Sequence, residues 1–178
     1  SGKRVVRLKS GDPLIYGRAA EEMAALRDAG IGYEIVPGIT SAFAAAADFE
    51  LPLTLRGVAS SLVFTTGHDL NSEVLPDWAR LAVSGATVAV YMGRTVAASV
   101  AGRLAAAGLS SDTAVAIIEN ASQDNRRLMH ATLKELPLIE TLDDLTGPVM
   151  VIIGDAVAGA NFEKSTPLVA LVPESAAA

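Results

Sequence analysis

The sequence predicts an α/β protein with mixed, mostly parallel sheets. Short β-branched runs alternate with stretches whose apolar residues recur at every third or fourth position, and glycine follows the ends of those helical stretches. Alanine supplies 32 of the 178 residues, which favours thin helices packed closely on something flat over an aromatic-filled barrel.

The first run, Lys3-Arg4-Val5-Val6-Arg7-Leu8-Lys9, reads as a strand that Ser10-Gly11-Asp12-Pro13 cuts off. From Arg18 the period changes: Ala19, Met23 and Leu26 fall on one helical face, Glu22 lies one turn beyond Arg18, and Gly30 is placed to end the helix. Tyr33-Glu34-Ile35-Val36 resumes a strand, Pro37-Gly38 breaks it, and Thr40 or Ser41 can cap an alanine-rich helix running to about Phe49. Residues 51–57 have no clear period and read as a crossing segment. Residues 61–65 and 87–91 then read as strands, with a helix around 74–83 between them. A further helix carries Val96, Val100 and Leu104 on one face and ends at Gly108. Residues 114–119 and 126–131 predict a hairpin around the polar turn 120–125, residues 133–145 a short helical piece, and residues 149–153 the last apolar strand.

Composition excludes several classes of function. Half the residues (51%) are hydrophobic and 19% charged, which rules out a disordered or collagen-like chain. There is no cysteine, so disulfides, thiolate zinc sites and cysteine nucleophiles are absent; only His68 and His130 remain for imidazole chemistry, and no metal site is expected. The net charge of −6 lacks the positive field that holds a phosphate backbone, so nucleic acid is a poor partner. No apolar run reaches the roughly 20 residues a membrane helix needs, and the simplest setting is cytoplasmic, without a membrane partner.

Ligands of α/β folds bind at the carboxyl ends of strands, and three loops fit that position: residues 10–13, 37–40 and 92–95. In the first, Gly11 permits close backbone approach, Asp12 fixes a carboxylate and Pro13 stiffens the exit, although Gly-Asp-Pro is also ordinary turn composition. It is no phosphate cradle, since it carries neither G-x-x-x-x-G-K-[ST] nor G-x-G-x-x-G. Pro37-Gly38-Ile39-Thr40 offers backbone N–H groups and a hydroxyl at a helix start, suited to a carboxylate or the edge of a base and equally to plain capping.

Taken in order, these segments resemble the tetrapyrrole methylase family, and within it the uroporphyrinogen III C-methyltransferases. VVRLKSGDPLIYGRAAEE resembles the family's strand, Gly-Asp-Pro loop and Gly-Arg-x-x-Glu-Glu helix start, and YEIVPGITSAFAAAA its Val-Pro-Gly-Ile-Thr helix entry. LPLTLRGVASSLVFTTGHD, VAVYMGR, AVAIIENAS and ATLKELP follow in family order. The resemblance implies a two-lobe architecture that binds S-adenosylmethionine, releases S-adenosylhomocysteine and works as a homodimer. It implies C-methylation of uroporphyrinogen III at C2 and C7, giving precorrin-2 for sirohaem or cobalamin. The alternatives are methylation of precorrin-4 or another corrin precursor, or a non-catalytic truncated binding or dimerisation module.

Carried over by position, cofactor contacts fall on Ser10, Gly11, Asp12, Ile15, Thr40, Ser41, Met92 and Ala121. Ser10 and Ala121 stand where the group usually has glycine, and Leu14 and Tyr16 replace its usual aromatic pair. For a polycarboxylate acceptor on an acidic chain, local cations must act within the roughly 8–10 Å that salt leaves unscreened. Arg56 and His68 are expected to hold substrate carboxylates, and Arg18 with Glu21 to assist orientation or proton movement as the catalytic pair. Met92 and Trp78 also suit plain core packing. The family's opening strand and Gly-x-Gly-Pro-Gly-Asp loop have no counterpart before Ser1. The resemblance therefore implies a truncated first lobe over residues 1–52, a second lobe over 53–165 and a tail over 166–178, with weak adenosylmethionine binding by the chain alone.

Overall fold

The structure is a computed structural model that describes residues 2–67 and 77–172. The chain divides into two compact units, Ser1–Phe43 and Ala44–Ala178.

The first unit holds helix α1, Ala19–Asp28, and the opening of α2, Ser41–Asp48. The end of α1 is set by Gly30 at φ 66°: its N–H donates to the Arg27 carbonyl at 3.0 Å, and that of Ile31 to the Leu26 carbonyl at 2.9 Å. This Schellman closure satisfies the last carbonyls of the helix and requires a left-handed residue at that position. The strands expected at 3–9 and 33–36 are not formed. Val5, Val6 and Leu8 are 86%, 79% and 81% exposed, and neither run pairs with a strand among the described residues. β-Branched composition makes a strand only where a neighbour accepts its hydrogen bonds and a packed face covers its side chains, and both are lacking there.

The second unit is built on a six-stranded sheet in the order β1-β2-β5-β3-β4-β6. The strands are β1 Leu62–Thr66, β2 Thr87–Tyr91, β3 Ala114–Glu119, β4 Arg127–Thr132, β5 Val149–Ile153 and β6 Thr166–Pro167. The sheet is mixed, as expected, but not mostly parallel: β1/β2 and β4/β6 pair parallel, whereas β2/β5, β5/β3 and β3/β4 pair antiparallel. The cause is β5, last of the long strands in sequence, which inserts between β2 and β3 and runs against both. The β3–β4 hairpin forms in the expected place, with Glu119 opposite Arg127. The stretch 166–172, expected as tail, belongs to the sheet: β6 pairs with β4, and Leu168 is fully buried.

Helices α3, Asp77–Val83, and α4, Ala97–Ala107, join the 3-10 helix Leu136–Thr141 over one face. There Val88 and Val90 of β2, Val115 and Ile117 of β3, and Val151 and Ile153 of β5 meet Ala97, Val100, Ala101 and Leu104 of α4. Each large aliphatic side chain in this layer contributes about 1.5–3 kcal/mol. The alanines let α4 lie close to the sheet. Its first turn is closed from a distance, the Ala98 N–H donating to Glu140 Oε1 at 2.8 Å, which places a carboxylate at the positive end of the helix. The other face carries a row of directly opposed residues: Phe64, Ala89, Ile152, Ala116, His130 and Pro167. The Phe162 ring lies over it, 4.9 Å from His130 and 6.0 Å from Phe49.

Candidate functional site

In the first unit two loops are drawn together by one side chain. Gly11 turns the backbone at φ 68°, and the half-buried Asp12 carboxylate then accepts two backbone N–H groups. Oδ1 takes that of Leu14 at 2.8 Å, closing the Asx turn that the composition favours, and Oδ2 takes that of Gly38, 26 residues on, at 3.0 Å. The loops approach so closely that a Cβ on Gly38 would overlap the carbonyl oxygen of Gly11. A Cβ on Gly11 would stand 3.7 Å from Ser41 Oγ, so Gly11 and the first residue of α2 are neighbours. Ser10, Gly11 and Asp12 therefore lie beside the segment leading to Thr40, which is buried, and Ser41, which is exposed; Ile15 is half-buried just beyond. The Gly38 N–H, expected as one of the groups left for a ligand, is committed to Asp12.

Arg18 sits at φ 54° immediately before α1 and makes a two-pronged contact with Glu21, Nε to Oε1 at 3.0 Å and Nη2 to Oε2 at 2.6 Å. It does not take Glu22, the partner that i,i+4 spacing suggests, because Lys9 holds Glu22 at 3.1 Å and Arg7 approaches it at 3.4 Å. Lys9 also donates to the Gly17 carbonyl and so fastens the far end of the Gly-Asp-Pro loop. The hydrogen bond from Arg18 holds the Glu21 carboxyl below the usual carboxylate range and Glu21 raises the Arg18 guanidinium, so near neutrality this exposed pair keeps both charges and exchanges no proton. Its chemistry is that of a charge able to reorient toward an anion.

In the second unit the sheet order gathers the remaining loops. β1 and β2 run parallel, and β5 opposes both β2 and β3, so the carboxyl ends of β1, β2 and β3 share one sheet edge. Thr66, Tyr91, Met150 and Ile118 form its last full row. Beyond that row the backbone is bent: Met92, 47% exposed, has φ 53°, and Asn120 and Ser122, on either side of Ala121, have φ 55° and 65°. Non-glycine residues held at positive φ cluster at ligand-binding positions. Gly67, at the end of β1, lies against the Met92 carbonyl and the Val96 side chain, where a Cβ would not fit. Buried Glu119 closes the base of the hairpin turn by accepting the Gly147 N–H at 2.6 Å.

Arg56 occupies the exposed tip of a tight turn closed by two hydrogen bonds between Leu55 and Ala59, both 2.8 Å. His68 lies outside the described residues. Trp78 packs against the apolar core. Among the described residues no three His, Cys, Asp or Glu side chains converge as metal ligands, and no helix is long and apolar enough to cross a membrane. Sequence reasoning missed Lys9 and Asp48. Asp48 ends α2 and accepts the Ser122 N–H at 2.8 Å, a contact across 74 residues that no local pattern announces.

Residues 1–137 match the family model for tetrapyrrole (corrin/porphyrin) methylases. The siroheme synthase of Tolumonas auensis is 45% identical over 161 residues, 90% of this chain and 34% of that protein, and a siroheme synthase of Klebsiella pneumoniae is 43% identical over 157 residues. The chain thus spans about a third of the length of these curated relatives. Among solved structures, the uroporphyrin-III C-methyl transferase of Thermus thermophilus complexed with S-adenyl homocysteine is similar with a TM-score of 0.71 and 33% identity, covering 87% of this chain and 67% of that one. A cobalt precorrin-4 methyltransferase of cobalamin biosynthesis is similar with a TM-score of 0.73 and 30% identity, over 83% of this chain and 62% of that one. With its ordered loops and its mixed α/β sheet, the chain belongs to the tetrapyrrole (corrin/porphyrin) methylases.

Proposed function

We propose that the chain takes part in S-adenosylmethionine-dependent C-methylation of uroporphyrinogen III, at C2 and C7, to precorrin-2 on the way to sirohaem. The observation that carries this reading is the Asp12 bridge, which presses two backbone loops together at glycine-only distance beside the exposed Ser41 hydroxyl. Carbonyls, amides, small hydroxyls and one carboxylate are the donor set that an amino acid, a ribose and an adenine require. The 45% identity to a siroheme synthase supports sirohaem as the product class.

In this reading Ser10, Gly11, Asp12, Ile15, Thr40, Ser41, Met92 and Ala121 hold the cofactor. When bound, it supplies an electrophilic methyl group on a sulfonium that departs as a neutral thioether. The loops hold and orient, and alignment for an in-line displacement is worth several orders of magnitude in rate without a metal. Arg56 and His68 bind acceptor carboxylates, and Arg18 turns from Glu21 to a third. Because Arg18 and Glu21 stay charged near neutrality, they steer the acceptor and leave the ring proton to water or another base. The active form is a cytoplasmic homodimer.

Methyl-labelled S-adenosylmethionine with uroporphyrinogen III in one arm and cobalt precorrin-4 in the other tests the reading, on this chain and on a chimera carrying the preceding segment of the Tolumonas auensis relative. Two labelled methyl groups per uroporphyrinogen III are expected. Label entering only cobalt precorrin-4, or neither acceptor in either protein, overturns it.

A further inference from the structure

We infer that Asp48 and Arg126 form a brace that positions the Ala121 turn for the adenosyl group, an inference that rests on the functional reading above. The Asp48 carboxylate, mostly buried at 16% side-chain exposure, is divided between two tasks. Its Oδ2 accepts the Ser122 N–H at 2.8 Å, and its Oδ1 meets Arg126 Nε at 3.2 Å. Arg126 completes the loop by donating from Nη1 to the Gln123 carbonyl at 3.2 Å, while the Gln123 N–H donates to the Asn120 carbonyl at 3.0 Å. The Asn120 N–H is given to the Pro148 carbonyl at 3.0 Å, and the Asn120 side chain fills the space over Gly147.

Both neighbours of Ala121, Asn120 and Ser122, are therefore committed, and both are held at positive φ without being glycine. The Ala121 N–H itself donates to nothing among the described residues. In a hairpin turn that only joined β3 to β4 left-handed positions fall to Gly, Asn or Asp, so Asn120 is ordinary there and Ser122 is not, and no tie from outside the turn would be needed. A charge-assisted clamp from a helix 74 residues away holds it instead with one peptide group unpaired. Asp48 is thus a positioning residue: it acts on the ligand through Ser122 and Ala121, without touching it.

Three variants of the protein test this: Asp48→Ala, Asp48→Asn, which keeps an oxygen for Ser122, and Arg126→Gln, which loosens the brace from its other end. The measurements are the Michaelis constant for S-adenosylmethionine and kcat with uroporphyrinogen III, the dissociation constant for S-adenosylhomocysteine, and hydrogen exchange at the Ser122 amide. Asp48→Ala is expected to raise the Michaelis and dissociation constants about tenfold, as the loss of one charge-assisted hydrogen bond implies, with kcat nearly unchanged and Ser122 exchange faster. Asp48→Asn restores most of the affinity, and Arg126→Gln falls between. Faster exchange with unchanged constants makes the brace purely structural and overturns the inference, as does unchanged exchange. Should Asp48→Ala fail to fold, Arg126→Gln and Asp48→Asn decide by the same criteria. A wild-type protein that binds no adenosyl compound overturns the functional reading itself, which the exchange measurement distinguishes from failure of the brace.

Discussion

Two runs of this chain have the same β-branched character and opposite fates. Thr87–Tyr91 is buried at every residue and hydrogen-bonded on both sides, to β1 and to β5, whereas residues 3–8 are exposed and pair with no strand among the described residues. The contrast extends to what holds each unit together. The second unit rests on a sheet with an apolar layer beneath it; the first rests on polar loop contacts, Asp12 to Gly38 and Lys9 to Gly17 and Glu22. Strand propensity is thus a fit to neighbours and not a property of the run.

The largest expected effect comes from the apolar layer. Ile117→Ala, at a fully buried position in β3, should cost about 2–5 kcal/mol in urea unfolding, while Val5→Ala should stay within about 0.5 kcal/mol of the parent. A comparable loss at Val5 would break the contrast, because it would mean that the run is covered in solution.

The loop contacts come next. Gly38→Ala drives a Cβ into the Gly11 carbonyl and should cost about 1–3 kcal/mol together with most of the affinity for S-adenosylhomocysteine. Gly32, where an added Cβ would meet nothing within 4 Å, is the control, and Gly32→Ala should be neutral or slightly stabilising. Calorimetry on both separates a clash from a general intolerance of substitution in this unit. A smaller effect is expected at Asp12→Ala, about 1–2 kcal/mol, since it leaves the Leu14 and Gly38 N–H groups without their acceptor near a partly solvated surface. Asp12→Asn, with a single acceptor oxygen, should recover part of this, and equal losses in both variants would show that the charge, not the bridge, matters.

Elements whose signals are local were legible in the sequence. β2 and β5 have the expected bounds, the hairpin forms around its polar turn, and α1 ends at Gly30 and α4 at Gly108. Pairing was not legible: nothing in the order of strands announces that β5 separates β2 from β3, because that choice is made by packing of side chains far apart in the chain. The same holds at the site. Gly11, Asp12, Thr40 and Ser41 were visible as loop and cap chemistry and do come together. Arg18 meets Glu21, the partner the resemblance gave it; what local spacing does not announce is that Lys9 and Arg7 take Glu22, the other acidic residue within reach.

The smallest effect sharpens the contrast from within the sheet unit, where one polar contact does what Asp12 does in the first. Glu135 Oε2 accepts both the N–H and the hydroxyl of Thr132, at 2.7 and 2.8 Å, and these two donors hold its carboxyl below the usual range. The folded state therefore favours the ionised form, and the stabilisation is fully present above the unfolded-state value of about 4.3. It fades as pH falls through the lower folded value, because both states are then protonated. Solvent access keeps it on the order of 1 kcal/mol or less. Glu135→Gln should be less stable than the parent near neutrality, and the gap in unfolding free energy should close on acidification below the unfolded-state carboxylate value. A gap that persists unchanged at low pH would assign the contribution to the shape of the turn and not to the carboxylate charge.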